Sequence, residues 1–237
     1  KTERDWVPSE PGTSLYIRPF MFATENALGV HMATSYKFMV ICCPVGAYYA
    51  EGINPVKILV EDELVRAVQG GTGFTKCGGN YAGSILGQVK AEKMGCTQVL
   101  WLDGVHRKYV EEVGTMNIMF KIDGEIYTAP IEGTVLAGVT RDSILHILRD
   151  WGYEVHETHL SIDDPMKAGH DGTLEEAFGT GTAAVISPVG EFVYKDDTVK
   201  VNDFAIGKLT QKLYDYLTGI QWGDVEDKYG WTVEIDA

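Results

Sequence analysis

The sequence contains little cysteine and little positive charge. Its four cysteines form no CxxC pair, and none lies at a spacing to histidine that is typical of zinc sites. We therefore expect reduced thiols, no metal site and a cytoplasmic protein. Lysine and arginine total 20 against 34 acidic residues, which gives a formal net charge of −14. This balance argues against nucleic acid and against an anionic membrane surface as partners.

Long hydrophobic runs are absent too, because no apolar run approaches the roughly 20 residues of a membrane-spanning helix. The sequence also lacks a P-loop, a complete dinucleotide-binding fingerprint and a serine-nucleophile motif. Its 45% apolar and 23% charged residues are ordinary for a globular protein. In so acidic a chain an anionic ligand must be held locally, by backbone N–H groups, helix N-termini and a few cations.

Strands and helices alternate along the chain, and hairpins recur among them. Aromatic and β-branched runs predict strands at 14–25 and 36–45, the second one buried on both faces together with Cys42 and Cys43. Further strands are predicted at 58–68, 98–103, 114–122, 125–130, 153–161, 183–189 and 191–196. Helices are predicted at 81–95, 140–152 and 203–223. The pattern indicates an α/β (mixed α+β) fold with a mixed sheet rather than a purely parallel one.

Three local signals sharpen this prediction. Asp123-Gly124 between two strands is a strong hairpin signal, and Gly190 is interpreted as the turn of a second hairpin. Thr140 is predicted to be the N-cap of the 140–152 helix.

Lys76 lies in a glycine-dense segment, GGTGFTKCGGNY, at residues 70–81. Glycines let a backbone approach a ligand closely, and a lysine that loses its proton becomes a nucleophile. On composition alone, a flexible surface lysine explains the segment as well.

Two further patterns could serve the same ligand. Adjacent Glu111 and Glu112 lead into a strand, so one should point inward and could hold a protonated ring nitrogen, while the other points out. Two solvated loop acids remain the alternative. Gly138-Val139-Thr140 before a helix, and Gly179-Thr180-Gly181-Thr182, are candidate phosphate cradles. A plain helix cap or turn explains each of them equally well.

A resemblance to one family is carried by GGTGFTKCGGNY, QVLWLDG, VEEVGTMN, VLAGVTRDS and GTGTAAVISPV, in this order. These segments, with SLYIRPF and CPVGAYY near the start, resemble the branched-chain amino-acid aminotransferases of the fold-type IV pyridoxal-phosphate group. The resemblance extends over essentially the whole chain. It implies a small α+β domain, a large domain with a mixed, barrel-like sheet, pyridoxal 5'-phosphate as cofactor, and a homodimer.

The resemblance also implies a reaction and roles for three residues. The reaction is ping-pong transamination between leucine, isoleucine or valine and 2-oxoglutarate. Lys76 matches the lysine that forms the internal aldimine. Tyr81 matches the tyrosine that binds the cofactor's phenolic oxygen, and Glu112 matches the carboxylate partner of the pyridine nitrogen.

Other matched positions bind the phosphate or surround the substrate. The phosphate-binding positions are Leu136, Gly138, Val139, Thr140 and Thr182. The substrate-side positions are Tyr16, Arg18, Val30, Thr115, Thr182 and Ala183. Val30 corresponds to a residue contributed across a dimer, and Arg18 to one that could pair with the second carboxylate of glutamate.

The sequence departs from the family pattern in three ways. Ala137 stands where the family has proline, which should loosen that turn. A CxxC pair found in mammalian members is absent, because Ala184 and Ser187 occupy its positions. The family's N-terminal region, with its phosphate-binding arginine, has no counterpart here, so we expect residues missing upstream. Residues 1–45 are then the rest of the small domain, 46–57 a linker, and 58–237 the large cofactor-binding domain.

Other functions stay open at this level. The same fold includes D-amino-acid transaminases and aminodeoxychorismate lyases, and the chain could also be an inactive fragment or a binding module.

Overall fold

The computed structural model describes residues 2–46 and 53–235. The chain divides into two compact units, Lys1–Gly52 with Val233–Ala237, and Ile53–Thr232. Residues 47–52 of the predicted linker lie outside the described residues. Within the described part of the chain, no helix is both long and apolar enough to cross a membrane.

The first unit contains one antiparallel hairpin. Strands β1 (Ser14–Ala23) and β2 (Tyr36–Val45) pair along their whole length, from Ser14↔Val45 to Ala23↔Tyr36. Both strands are confirmed, but the prediction that β2 is buried on both faces is wrong. Phe38 is 65% exposed, and Cys42 and Cys43 are exposed as well. An apolar run is buried only where layers cover both faces of its sheet, and this sheet has two strands.

The second unit interleaves nine strands with four helices. The strands are β3 (Val56–Glu61), β4 (Gln98–Leu102), β5 (Val110–Val113), β6 (Met116–Ile122), β7 (Glu125–Thr128), β8 (Val155–Glu157), β9 (Leu174–Gly181), β10 (Val185–Tyr194) and β11 (Asp197–Lys200). The helices are α1 (Gly78–Lys93), α2 (Val139–Asp150), α3 (Asp163–Asp171) and α4 (Lys208–Trp222). The sequence did not predict α3, β5, β9 or β11, and its extended segment 58–68 is a strand only as far as Glu61.

The sheet of the second unit closes on itself. Its strand order is β11-β10-β3-β4-β5-β6-β7-β8, and β9 pairs with both β10 and β6. Six strands therefore form a ring, β10-β3-β4-β5-β6-β9. The pairs β3–β10, β3–β4 and β7–β8 are parallel, and the others are antiparallel. The prediction of a mixed, barrel-like sheet is confirmed.

Helices cover the sheet through two apolar clusters. Ile144, Leu148 and Leu213, from α2 and α4, pack with Met119 and Phe178 of the sheet. In a second cluster, Ala91 of α1 packs with Trp101 and neighbouring residues. A Cβ at Gly87 would lie 2.5 Å from the Trp101 ring, so glycine lets α1 approach the sheet.

The exposed side of α1 is not the side that its hydrophobic pattern indicates. The helix is confirmed, but its apolar stripe of Ile85, Leu86 and Val89 is exposed, and its buried residues are Asn80, Gly87 and Ala91. Small residues occupy the face of α1 that packs on the sheet, because the Trp101 ring fills the space between helix and sheet.

One predicted hairpin is confirmed and the other is wrong. β6 and β7 pair across Asp123-Gly124, both with positive φ, as a two-residue hairpin requires. Gly190, by contrast, lies within the continuous strand β10, where the register to β3 shifts. A Cβ there would lie 2.6 Å from the Phe204 ring, so this glycine marks a bulge and a close contact.

Candidate functional site

The centre of the candidate site is Glu112 on β5. This residue pairs with Trp101 of β4 and with Asn117 of β6. Successive strand residues point to opposite faces, so Glu111 and Glu112 face different ways. Both are nevertheless buried, at 7% and 4% exposure. The two carboxylates thus face opposite ways as expected, but neither is exposed to solvent.

Both carboxylate oxygens of Glu112 have partners. Oε1 accepts the backbone N–H of Leu136 at 2.8 Å and a longer bond from the Asn117 amide at 3.4 Å. Oε2 lies 3.0 Å from Nη2 of Arg66. The Asn117 amide also donates to the Leu136 carbonyl oxygen at 2.9 Å. Glu112 is thus fixed between a buried cation and the 134–136 segment.

The charge of Glu112 is finely balanced. Burial raises the pKa of its carboxyl to about 7, and the charge of Glu111 acts in the same direction. The Arg66 guanidinium, the Leu136 N–H and the Lys76 ammonium lower the pKa. Glu112 can therefore exchange a proton with a ligand near neutral pH.

Lys76 and Tyr81 lie at the N-terminal end of α1. Lys76 is exposed, and its Nζ lies 6.0 Å from the centre of the Tyr81 ring. The loop that carries Lys76 is held by the buried amide of Asn80, which donates to the carbonyl oxygens of Thr72 at 2.7 Å and Thr75 at 2.8 Å. These hydrogen bonds fix the backbone of the loop that carries Lys76.

A single pocket brings together four residues that the sequence predicted for the site, Tyr81, Glu112, Thr115 and Leu136. It is also lined by Arg66, Gly73, Thr75, Asn80, Ser84 and Gly114. The pocket therefore combines one buried carboxyl group, one buried guanidinium cation and several hydroxyl and amide groups. Such a mixture suits a polar ligand with a charged ring.

The second helix begins beside this pocket. α2 starts at Val139 with Gly138 as its N-cap, and no side chain caps it, so the prediction of Thr140 as N-cap is wrong. A Cβ at Gly138 would lie 2.2 Å from Oδ1 of Asn117, the residue that also contacts Glu112. The uncapped N–H groups of the first turn, which includes Val139 and Thr140, can receive an anion.

Thr182 and Ala183 occupy the exposed turn between β9 and β10. Thr180 pairs with Asn117 in antiparallel register. Thr182 follows Thr180 by two residues, and Thr115 precedes Asn117 by two. Thr115 and Thr182 therefore lie at the same end of the β6–β9 pair. Thr180 Oγ1 is buried there without a hydrogen-bond partner among the described residues.

Three predicted substrate-side residues belong to the first unit. Tyr16 and Arg18 lie on β1, where Arg18 donates to the Tyr16 hydroxyl and its guanidinium lies 5.0 Å from the Tyr16 ring centre. Val30 lies in the exposed connection between β1 and β2. Their roles stay predictions.

Sequence reasoning missed Arg66, Asn80 and Asn117. The two asparagines stand inside the motifs GGNY and GTMN, so their positions were a usable signal. Arg66 gave none, because an arginine next to Glu61, Asp62 and Glu63 in sequence looks like part of a solvated charged segment.

Comparison with known proteins places the chain among similar sequences. The family model described as amino-transferase class IV matches residues 8–192. Branched-chain-amino-acid aminotransferase 2 of Bacillus subtilis (strain 168) is 56% identical over 235 residues, which are 99% of this chain and 65% of that protein. A probable branched-chain-amino-acid aminotransferase of Staphylococcus aureus (strain N315) is 54% identical over 98% of this chain. The chain spans 65% of the length of these curated relatives.

Solved structures share the fold. The branched-chain amino acid aminotransferase of Escherichia coli is 30% identical with a TM-score of 0.77, covering 92% of this chain and 69% of that one. Another branched-chain amino acid aminotransferase, complexed with N-(5'-phosphopyridoxyl)-L-glutamate, is 28% identical with a TM-score of 0.76, covering 92% of this chain and 68% of that one. The enzyme of the archaeon Thermoproteus uzoniensis, solved with norvaline, is 27% identical with a TM-score of 0.75, covering 91% of this chain and 67% of that one.

Proposed function

The chain belongs to the amino-transferase class IV family, and on this premise we propose that it is the catalytic part of a branched-chain amino-acid aminotransferase. It would transfer an amino group from L-leucine, L-isoleucine or L-valine to 2-oxoglutarate with pyridoxal 5'-phosphate as cofactor. The observation that carries the proposal is one pocket lined by both the buried Glu112 and the more exposed Tyr81, with the Lys76 ammonium acting on Glu112 and lying near Tyr81. The names of its relatives support the choice of substrate.

The groups around the pocket fit this cofactor. Glu112 is a buried acceptor for a protonated ring nitrogen, and Lys76 is an exposed primary amine to which an aldehyde can attach. The uncapped start of α2 offers N–H groups to a phosphate. When bound, the cofactor withdraws electrons from the substrate's Cα and so makes its proton removable.

Each side chain then has its own task. Glu112 stabilises the proton on the ring nitrogen by its negative charge, and the Tyr81 hydroxyl donates to the phenolic oxygen. Nζ of Lys76 would accept the proton from Cα of the substrate and return it to C4′ of the cofactor. The phosphate would be held by backbone and hydroxyl groups at Gly138, Val139, Thr140 and Thr182. Leu136, which the resemblance also assigns to the phosphate, already donates its N–H to Oε1 of Glu112 and would line that end of the site.

Several finer points are part of the same proposal. Thr115, Thr182 and Ala183 bind near the substrate carboxylate and side chain, and Arg18 recognises the second carboxylate of glutamate. The protein is a cytoplasmic homodimer in amino-acid biosynthesis. Residues 1–45, 46–57 and 58–237 are the small-domain part, the linker and the cofactor-binding domain. The roles of Tyr16 and Val30 are carried over from the sequence resemblance.

Amino-donor preference tests the proposal. Protein incubated with pyridoxal 5'-phosphate and 2-oxoglutarate should convert L-leucine to its 2-oxo acid faster than D-alanine, measured by mass spectrometry of the product. Lys76→Ala is the matched control and should convert neither. Preference for D-alanine would replace the substrate assignment with the D-amino-acid transaminase alternative. Absence of product from both donors would contradict the proposed activity.

A further inference from the structure

Arg66 occupies an unusual position for an arginine. It lies between β3 and α1, in a stretch without helix or strand, yet its side chain is only 7% exposed. Arginine is seldom buried to this extent unless it is paired. Its Nη2 lies 3.0 Å from Oε2 of Glu112 and also donates to the carbonyl oxygen of Thr134.

Arg66 therefore joins two parts of the candidate site. Thr134 and Leu136 belong to one segment, and Leu136 supplies the backbone N–H that binds Oε1 of Glu112. One nitrogen of Arg66 thus contacts both the carboxylate and the segment that leads to Gly138. A planar guanidinium can serve two acceptors at fixed angles, which a lysine ammonium does less well.

Arg66 retains this position at a cost. Its Nε is buried and has no hydrogen-bond partner among the described residues. An unsatisfied buried donor destabilises a folded protein and needs a separate explanation. The ion pair with Glu112 explains why an arginine is retained at this position.

We infer that Arg66 is a positioning residue that favours the ionised form of Glu112, so that the proton shared with a bound ring nitrogen stays on the ring. The inference rests on the proposed function in taking Glu112 as the partner of that nitrogen. Arg66 contacts Oε2, whereas the described partners of Oε1, the Leu136 N–H and the Asn117 amide, are neutral. Without it, the buried carboxyl would take the proton, and the ring would withdraw electrons less strongly.

The other groups facing Glu112 cannot replace this charge. Asn117 and the Leu136 N–H are neutral, and Glu111 is an acid whose charge opposes ionisation. Lys76 is a cation, but it is exposed and acts on Glu112 less than Arg66 does. Among these neighbours Arg66 makes the largest contribution to lowering the pKa of Glu112, against the larger opposing effect of burial.

The experiment titrates Glu112 in the full chain without cofactor. Infrared difference spectra of protein with 13C-labelled glutamate follow the protonated carboxyl, and Glu112→Gln identifies its band. In Arg66→Met and Arg66→Gln the pH of half-protonation should rise by about 1 to 3. Arg66→Lys, which keeps the charge, should titrate close to the original protein.

Arg141→Met is the matched control. Arg141 is equally buried, at 5% exposure, and pairs with Glu157 at 2.8 Å instead of Glu112. Its replacement should leave the Glu112 band at its original pH. Circular dichroism identifies the folded variants. Two neutral replacements at position 66 are made so that the test can still be read if one of them does not fold. An unchanged half-protonation pH in a folded neutral variant would overturn the inference.

This titration separates the inference from the proposed function. Failure of amino transfer from L-leucine would overturn the function and leave the Glu112 titration readable. If transfer occurs and the titration does not move, only the role of Arg66 is lost. In active protein Arg66→Gln should lower kcat more than it raises KM for L-leucine, and Arg66→Lys should restore part of kcat. Equal kcat in Arg66→Gln and the original protein would also contradict the inference.

Discussion

The side-chain oxygen of Asn117 lies only 2.2 Å from the position that a Cβ of residue 138 would occupy. Gly138 and Glu112 therefore share a neighbour. The Asn117 amide donates to the Leu136 carbonyl oxygen and contacts Glu112. A single missing methyl group lets the start of α2 approach the strand that carries Asn117. This contact joins the two ends of the candidate cofactor site.

Gly138→Ala should weaken the binding of pyridoxal 5'-phosphate. The added methyl group displaces the buried Asn117 amide, and the loss of a hydrogen bond of about 1.4 kcal/mol corresponds to about tenfold in affinity. Equilibrium binding followed by absorbance measures the change.

Gly83→Ala is the control for this glycine. Apart from its own helix backbone, no described residue has an atom within 4 Å of a Cβ at position 83, which is inside α1. Alanine should stabilise the helix by up to about 1 kcal/mol and leave cofactor affinity unchanged. Equal affinities for Gly138→Ala and Gly83→Ala would contradict the role given to Gly138.

Protein without cofactor should lose stability between about pH 4.5 and 7 through Glu112. Its pKa is about 7 in the folded protein against 4.5 as the ordinary value. A carboxyl whose pKa is raised by folding contributes stability that is complete below the lower value and is lost as pH rises through the higher one. The slope is at most about 1.4 kcal/mol per pH unit.

Urea unfolding at several pH values measures this slope. Glu112→Gln should flatten it, although Glu111, whose pKa burial also raises, contributes in the same direction. Asp227→Asn should keep the slope, because the pKa of Asp227 is lowered and that group titrates below this range. A Glu112→Gln slope as steep as the original would show that Glu112 is ionised throughout.

Glu176→Ala should destabilise the second unit by roughly 2–3 kcal/mol. The buried carboxylate of Glu176, on β9, accepts the N–H groups of Leu209 at 2.9 Å and Thr210 at 2.8 Å at the start of α4. Its removal leaves buried donors without an acceptor. Chemical denaturation gives the free energy of unfolding.

The neighbouring Glu175 provides the comparison for that prediction. It pairs with Lys121 and is 39% exposed, so Glu175→Gln should cost no more than about 1 kcal/mol. Equal losses from the two variants would mean that Glu176 does not act as the acceptor for α4.

Cys77 should react with iodoacetamide at least about tenfold faster than Cys96. The Thr72 side chain and the N–H groups of Asn80 and Gly79 lower the pKa of the Cys77 thiol, whereas burial raises the pKa of Cys96. A larger thiolate fraction reacts faster. Peptide mass spectrometry at short times compares the two, and earlier labelling of Cys96 would contradict this order.

Local sequence signals found much of the fold. Asp123-Gly124 has the two positive φ angles of a two-residue turn, and no distant residue is needed to produce them. Gly190 presented a similar glycine signal between two apolar runs, yet it serves a bulge beside Phe204. The difference lies in a contact across the fold that neighbouring residues do not reveal.

Burial was harder to predict than secondary structure. The run at 36–45 forms the predicted strand, but hydrophobicity does not say how many layers cover it. In α1 the apolar stripe is exposed, because the Trp101 ring leaves room only for Gly87 and Ala91. Arg66 was missed for a related reason. Its partner Glu112 is far away along the chain, and the neighbouring strands β3, β4 and β5 bring the two regions together.

The central claim is that Lys76, Tyr81 and Glu112 form one site for pyridoxal 5'-phosphate. The most direct test is to incubate the protein with the cofactor, reduce it with borohydride and locate the retained mass by peptide mapping. We expect the phosphopyridoxyl mass on Lys76, and its loss from that peptide in Lys76→Arg. Label spread over other lysines, with Lys76 not enriched, would contradict the account.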